Sequence, residues 1–280
     1  MLKRIITSVV AAVCVLLPAL IFSHTVAFPI AVGIATVIGL FEMAKCIGLH
    51  KRLSLTVPLY LAALALPLGV RYIENRLLLS TVCFIAAAFY LIYLFVHIIW
   101  SHGKLGFSDG ALLTVTSFYI IAALNCIIYI RDFGEGGKYG YLLIFIGAWI
   151  TDIFAYFSGR LFGKHKLIED VSPKKTVEGS IGGIIFCVLS FVAFGAIINA
   201  FFEGSANLIF LAVCGLVASV VSQVGDLIMS VIKRHYGIKD YGKLFPGHGG
   251  MLDRFDSVLA VSLAIAAVCM ISSIIGISMI

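Results

Sequence analysis

The residues best suited to chemistry are polar side chains that follow one helical face near the C-terminal end of the chain. Ser219, Gln223, Asp226, Ser230 and Lys233 are spaced by four, three, four and three residues in an otherwise apolar run. This spacing stacks them on one side of a helix. A carboxylate within a membrane helix costs about 2.5–3.5 kcal/mol on insertion scales. Asp226 is therefore predicted to be functional.

The segment 233–256 continues this polar face with lysines, arginines and glycines, and it ends on Asp253 and Asp256. Glycines let backbone amides approach an anion closely, and Mg²⁺ is commonly held by one or two carboxylates together with substrate phosphate oxygens. Helix capping would account for one of these aspartates, but not for both of them together with Asp226. We predict a metal-dependent site for nucleotide phosphates, in which Asp226, Asp253 and Asp256 are catalytic residues and metal ligands. The Walker A pattern is not found in the sequence.

The elements that must position these residues are membrane helices. The chain is 61% hydrophobic and 12% charged, whereas soluble domains carry about 25% charged residues. We predict an all-α polytopic membrane protein in which the first helix is retained rather than cleaved. The nine predicted spans are 4–22, 27–49, 53–70, 77–99, 109–130, 140–162, 181–202, 207–232 and 257–279.

The distribution of lysine and arginine predicts the orientation. With nine spans, 16 of the 20 cations share the side of the N-terminus and of the two long polar loops, 163–180 and 233–256. The positive-inside rule then makes the N-terminus and both loops cytoplasmic. It also explains the net charge of +6, so no nucleic-acid partner is expected. We divide the chain into N-terminal helices, 1–105, which form a lipid cavity or dimer contact, and a catalytic region, 106–280.

Residues 230–256 resemble a known family. They read SxxKRxxxxKDxGxxFPxHGGMxDRFD, which is similar to the full signature of the phosphatidate cytidylyltransferases, or CDP-diacylglycerol synthases, of bacterial type. The stretch SPKKTVEG at 172–179 resembles a second recurrent segment of that family. The resemblance covers the length and the many spans as well as these motifs.

The resemblance implies transfer of the cytidylyl group from CTP to phosphatidate in phospholipid biosynthesis. It also implies a homodimer in the cytoplasmic membrane, in contact with membrane lipids, and a two-metal centre with Mg²⁺ and K⁺ as a candidate second ion. The expected substrate-binding residues are Ser230, Lys233, Arg234, Lys239, His248, Gly249, Gly250, Arg254, Lys174, Lys175 and Thr176.

Several alternatives stay open on the sequence alone. The lipid substrate could instead be an isoprenoid phosphate or alcohol, and an anion transporter would also carry buried charges. Asp152 is either a partner of Arg160 or part of the site. His248 either shuttles a proton or only hydrogen-bonds its loop. Glu42 and Lys45, three residues apart, are expected to pair with each other.

Overall fold

The computed structural model describes residues 21–134, 136–202, 205–245, 247 and 249–275. Within these residues, eight helices are long and apolar enough to cross a membrane, which confirms the predicted polytopic helical class. Predicted span 4–22 lies almost entirely outside the described residues, so the count of nine stays a prediction. The helices are α1 (Ala27–Ile47), α2 (Leu53–Tyr72), α3 (Arg76–Trp100), α4 (Phe107–Arg131), the short α5 (Gly137–Gly140), α6 (Leu142–Phe162), α7 (Val177–Phe201), α8 (Leu208–His235) and α9 (Leu252–Ile275).

A β-hairpin lies in the segment predicted as a polar loop at 163–180. Strand β1 (Lys166–Ile168) pairs antiparallel with β2 (Ser172–Thr176). Pro173 is tolerated there because a two-stranded ribbon leaves each strand with an unpaired edge. The hairpin leads directly into α7, where the Thr176 side chain caps the helix by accepting a hydrogen bond from the Gly179 N–H at 3.1 Å.

The helices form two compact units. The first unit takes in the described residues of Met1–Asn125 together with Asp240–Asp253. Its core contains the fully buried side chains of Leu40, Met43 and Leu55. At Gly33 of α1, an added Cβ would lie 3.3 Å from the Ala63 carbonyl oxygen of α2. Such close approach of backbones at small residues is how membrane helices gain packing contacts without a hydrophobic driving force.

The second unit takes in Cys126–Lys239 and the described residues of Arg254–Ile280. Helix α7 packs against both α6 and α8 in this unit. The α6 contact again depends on small residues, because a Cβ at Gly179 would lie 2.6 Å from the Ala155 carbonyl oxygen and one at Gly183 would lie 2.9 Å from that of Thr151. This packing brings the polar residues of α6 and α8 into one region of the unit.

Two contacts of the first unit agree with the predicted sides of the loops. The Arg52 guanidinium donates to the Lys104 carbonyl oxygen, which joins two loops predicted on the same side. The Arg71 guanidinium donates to the Ser23 carbonyl oxygen at 2.8 Å, which joins two loops predicted on the other side. Which of these sides faces the cytoplasm stays a prediction from the positive-inside rule.

Candidate active site

Three carboxylates from three helices meet in the second unit. They are Asp152 of α6, Asp226 of α8 and Asp256 of α9, and they lie within electrostatic reach of one another. Asp226 and Asp256 are half-buried, and Asp152 is exposed. Carboxylates this close repel one another, and a cation among them offsets that repulsion. We call Asp152, Asp226 and Asp256 the carboxylate cluster.

Lys175 of β2 supplies one such cation. Its ammonium forms an ion pair with the Asp226 carboxylate, and the two side chains are 24% and 22% exposed. The ammonium nitrogen itself is buried. The hairpin is therefore the element that delivers a positive charge to the carboxylate cluster. Lys233 acts electrostatically on Asp256, and Arg254 acts on Asp152.

The structure decides the place of Asp152, which the sequence left open. The side chain of Arg160 lies against the Tyr156 hydroxyl at 3.4 Å. Asp152 instead accepts a hydrogen bond from the Ser257 hydroxyl at 3.2 Å, beside Asp226 and Asp256. The available sequence signal was a carboxylate within an apolar span, but its neighbours come from helices distant in the chain.

The polar face of α8 is held by partners on the two helices next to it. The Thr151 hydroxyl of α6 donates to the Ser219 hydroxyl at 3.0 Å, and the Ser180 hydroxyl of α7 donates to the Gln223 side-chain oxygen. Both contacts lie one or two helical turns before Asp226. Interhelical hydrogen bonds of this kind contribute about 0.6 kcal/mol each in a membrane protein. They fix the rotation of α8 and hence the direction of Asp226.

The predicted substrate-binding residues at the end of α8 differ in exposure. Ser230 and Lys233 are buried, whereas Arg234 and Lys239 are exposed. The Arg234 guanidinium donates to the Ile238 carbonyl oxygen at 3.3 Å, which folds the chain back at the end of the helix. Lys233 is thus the cation of this group that lies inside the unit, near Asp256.

The hairpin residues are placed in three ways. Lys174 is exposed, Lys175 pairs with Asp226, and Thr176 caps α7. The base of the hairpin is tied to α7 by Glu178, whose carboxylate accepts from the His165 ring at 2.6 Å and from the Lys164 backbone N–H at 3.1 Å. The three hairpin residues predicted to bind substrate therefore lie on a fixed turn, with the Lys175 side chain turned inward and that of Lys174 outward.

Asp253 lies in the first unit, where it organises the loop 240–251. Its Oδ2 accepts hydrogen bonds from the backbone N–H groups of Tyr241 at 2.8 Å and Gly250 at 2.9 Å. Gly249 adopts a φ of +86°, and a Cβ there would lie 2.7 Å from the same carboxylate oxygen. The aspartate thus closes the loop on itself at the start of α9. Its role as a metal ligand stays a prediction.

Glu42 corrects an expectation from the sequence. We expected it to pair with Lys45, but its carboxylate accepts from the backbone N–H groups of Met251 at 3.0 Å and Leu252 at 2.8 Å. Lys45 acts on it only electrostatically. The first N–H groups of a helix have no partner within the helix, and this carboxylate satisfies two of them. Sequence spacing could not reveal the contact, because the partners are more than 200 residues apart.

His248 and Pro246 lie outside the described residues, so the two hypotheses on His248 stay open. Within the described part of the chain, no three His, Cys, Asp or Glu side chains are grouped closely enough to hold one metal ion as they stand. The donor set of the carboxylate cluster nevertheless fits Mg²⁺. It consists of carboxylate oxygens, which Mg²⁺ prefers as ligands. Mg²⁺ also completes its shell with water and phosphate oxygens, so it needs only one or two carboxylates.

Comparison with known proteins finds a match over nearly the whole chain. The sequence model of the Cytidylyltransferase family matches residues 2–272. A phosphatidate cytidylyltransferase of Bacillus subtilis (strain 168) is 33% identical over 279 residues, covering 93% of this chain and 94% of its own. One of Staphylococcus haemolyticus (strain JCSC1435) is 32% identical over 265 residues, covering 92% and 95%. One of Staphylococcus epidermidis is 38% identical over 161 residues, 58% of this chain, and the match spans 59% of that relative's length.

Proposed function

Because the chain belongs to the cytidylyltransferase family, we propose that it transfers the cytidylyl group of CTP to phosphatidate, giving CDP-diacylglycerol and pyrophosphate. The observation that carries the proposal is the meeting of Asp152, Asp226 and Asp256 with Lys175 inside the region matched by the family. This group of charges lies in a membrane protein, and the proposed reaction requires no nucleophile from the protein. The names of the relatives favour phosphatidate over an isoprenoid lipid or a transported anion.

The reaction needs positioning and charge neutralisation more than it needs a protein nucleophile. A phosphate oxygen of phosphatidate attacks the α-phosphorus of CTP and forms the new P–O bond. The bond from that phosphorus to the oxygen bridging to the β-phosphate breaks, and pyrophosphate leaves with the electron pair. The phosphate monoester is already largely ionised at neutral pH, so a general base adds little. Fixed cations that stabilise the spreading negative charge supply most of the catalysis.

The cations of the second unit are the residues proposed to hold the phosphates. Lys175 and Lys233 are both turned into the unit, and Arg254 lies near Asp152. Ser230, Arg234, Lys239, Lys174 and Thr176, with Gly249, Gly250 and His248 of the loop, complete the proposed substrate-binding set. Of these, Thr176 acts indirectly, because its side chain caps α7 by accepting a hydrogen bond from the Gly179 N–H.

Mg²⁺ is the proposed cofactor, held by Asp226 and Asp256 with Asp253 as the third ligand, and it would neutralise charge on the triphosphate and the leaving pyrophosphate. K⁺ is proposed as a second ion. Asp152 lies beside Asp226 and Asp256, so it adds to the negative charge that attracts the cations. Lys175, which pairs with Asp226 here, can offer the same charge to a phosphate oxygen.

The proposed setting is the cytoplasmic membrane, with the site open to the cytosol, where CTP is found. The positive-inside count supports this side for both long polar loops. The lipid substrate would then arrive from the surrounding bilayer. We further propose that the protein acts as a homodimer, and that 1–105 shapes the lipid cavity or the dimer contact while 106–280 carries the chemistry.

The test is a transfer assay with the purified full-length protein in phospholipid–detergent micelles. CTP, Mg²⁺ and phosphatidate should give equal amounts of pyrophosphate and CDP-diacylglycerol, and excess EDTA should abolish both. A polyisoprenoid phosphate in place of phosphatidate should give neither product. Turnover with the isoprenoid alone would support the second enzyme function. Anion flux across liposomes without CTP turnover would refute the proposed activity.

A further inference from the structure

Glu42 is a buried carboxylate that the transfer chemistry does not use. It lies in α1, five residues before the end of that helix at Ile47, and it is 5% exposed. Keeping a charged side chain inside a membrane span is unfavourable, so such residues usually have a specific partner. The partners of Glu42 are the two backbone N–H groups at the start of α9, those of Met251 and Leu252.

The geometry of this contact accounts for two glycines of the signature. A Cβ at Gly242 or at Gly250 would lie 2.2 Å from the Glu42 Oε1 atom in each case. Both glycines lie in the described part of the chain, and neither has a positive φ. The close approach of Glu42, rather than the backbone conformation, therefore explains why glycine is needed at these positions. The loop is built to receive this carboxylate.

Glu42 and Asp253 divide the backbone N–H groups of the loop between them. Asp253 accepts from Tyr241 and Gly250, and Glu42 accepts from the next two residues, Met251 and Leu252. Three consecutive N–H groups, 250 to 252, are therefore bound by carboxylates. A negative charge is favoured there, because the N-terminus of a helix carries a partial positive charge.

We propose that Glu42 is a positioning residue: from α1 it holds the turn at 249–252 and so fixes Asp253 at the start of α9. Its effect on catalysis rests on the proposed cytidylyl transfer, because Asp253 belongs to the proposed metal-binding set. Glu42 acts through the backbone and through Asp253. Helix α1 thus contributes directly to the order of the signature loop.

Glu42→Gln is the first test, because it keeps the size of the side chain while replacing one of two acceptor oxygens by a donor. Hydrogen–deuterium exchange of the backbone amides in peptides covering 240–252, measured by mass spectrometry, should become about tenfold faster or more. In the transfer assay, kcat should fall about tenfold or more, which corresponds to about 1.4 kcal/mol. The matched control is Thr36→Val on the same helix, whose hydroxyl bonds only the Val32 carbonyl oxygen within α1. It should leave both measurements unchanged.

A double-mutant cycle provides a second test that does not depend on one variant. Gly242→Ala should lower kcat in the wild type, because its Cβ meets Glu42. In a Glu42→Ala background that carboxylate is gone and only a contact of 3.1 Å with the Gly250 Cα atom is left, so the same change should cost several-fold less. Equal losses in the two backgrounds would overturn the proposal.

The two readouts separate this proposal from the proposed function. If the wild-type protein shows no cytidylyl transfer, the function fails, while the exchange rates of 240–252 still test the contact. Unchanged exchange in Glu42→Gln would overturn the positioning role. Faster exchange with an unchanged kcat in an active enzyme would also overturn it, because the contact would then stabilise the loop without affecting the site.

Discussion

Replacing Asp226 by asparagine separates its electrostatic role from its role in stability. The change keeps the shape of the side chain and removes the charge that pairs with Lys175. The pair is about a quarter exposed on each side. Exposed pairs contribute about 0–1 kcal/mol and breaking a fully buried pair costs about 3–5 kcal/mol. Because the substitution also relieves repulsion from Asp152 and Asp256, we expect a loss of at most about 2 kcal/mol in the free energy of unfolding. A domain stable by 5–15 kcal/mol stays folded after such a loss.

The expected loss of activity is larger than this loss of stability. Removing one group that stabilises charge during phosphoryl transfer costs about 10³-fold or more in rate, which corresponds to about 4 kcal/mol. The assay is release of pyrophosphate from CTP with phosphatidate and Mg²⁺, alongside thermal unfolding of the same preparation. Folded Asp226→Asn protein should therefore show almost no turnover.

Ser222→Ala is the matched control for Asp226→Asn. Ser222 lies one turn earlier on α8, and its buried hydroxyl has no hydrogen-bond partner in the described part of the chain. Its removal should change the free energy of unfolding by no more than about 0.5 kcal/mol and should leave kcat unchanged. If folded Asp226→Asn protein keeps more than about a tenth of the wild-type kcat, Asp226 is not the charge on which the reaction depends, and the reasoning from the carboxylate cluster fails.

Three further substitutions test other parts of the site. Asp253→Asn keeps an acceptor for the Tyr241 and Gly250 N–H groups, so it should unfold near the wild-type temperature yet lose nearly all turnover. Asp253→Ala should also lose about 2 kcal/mol of stability in thermal unfolding. An active Asp253→Asn protein would mean that this residue only caps the loop. Lys233→Ala should raise the KM for CTP about tenfold or more in steady-state kinetics, and unchanged kinetics would exclude it from the phosphate site. In Gly225→Ala the new Cβ would lie 2.5 Å from that of Ala260, so the substitution should push α8 away from α9 beside Asp226. It should lower the free energy of unfolding by about 1–3 kcal/mol and should also lower kcat. Val224→Ala, on the exposed face of α8, should affect neither quantity.

Much of the site could be predicted from the sequence, because the signals are local. The period of 3.6 residues per turn stacks Ser219, Gln223 and Asp226 on one face of α8, and the structure confirms that Ser219 and Gln223 of this face have interhelical partners. Apolar length alone located the eight membrane-length helices in the described part of the chain. The signature at 230–256 identified the family that the comparison supports.

The hairpin and the cap by Glu42 could not be predicted in the same way. The basic segment 163–180 has too few apolar residues to show a strand period, and the short strands form against α7, to which Glu178 ties them. Glu42 has Lys45 at helical spacing, which favoured a local pair. The N-terminus of α9 offers the two N–H groups of Met251 and Leu252 side by side. These two donors match the two carboxylate oxygens of Glu42 better than the single ammonium of Lys45 does.

The sequence by itself determined that this is a helical membrane protein, which residues share a helical face, and which family it resembles. Only the tertiary structure decided that Asp152 lies beside Asp226 and Asp256, and that Lys175 reaches the cluster from the hairpin. The physical reason is that membrane helices are apolar on every side, so hydropathy indicates their number but not their neighbours. The neighbours are chosen by close packing at small residues such as Gly179 and Gly183, and that packing brings the distant carboxylates together.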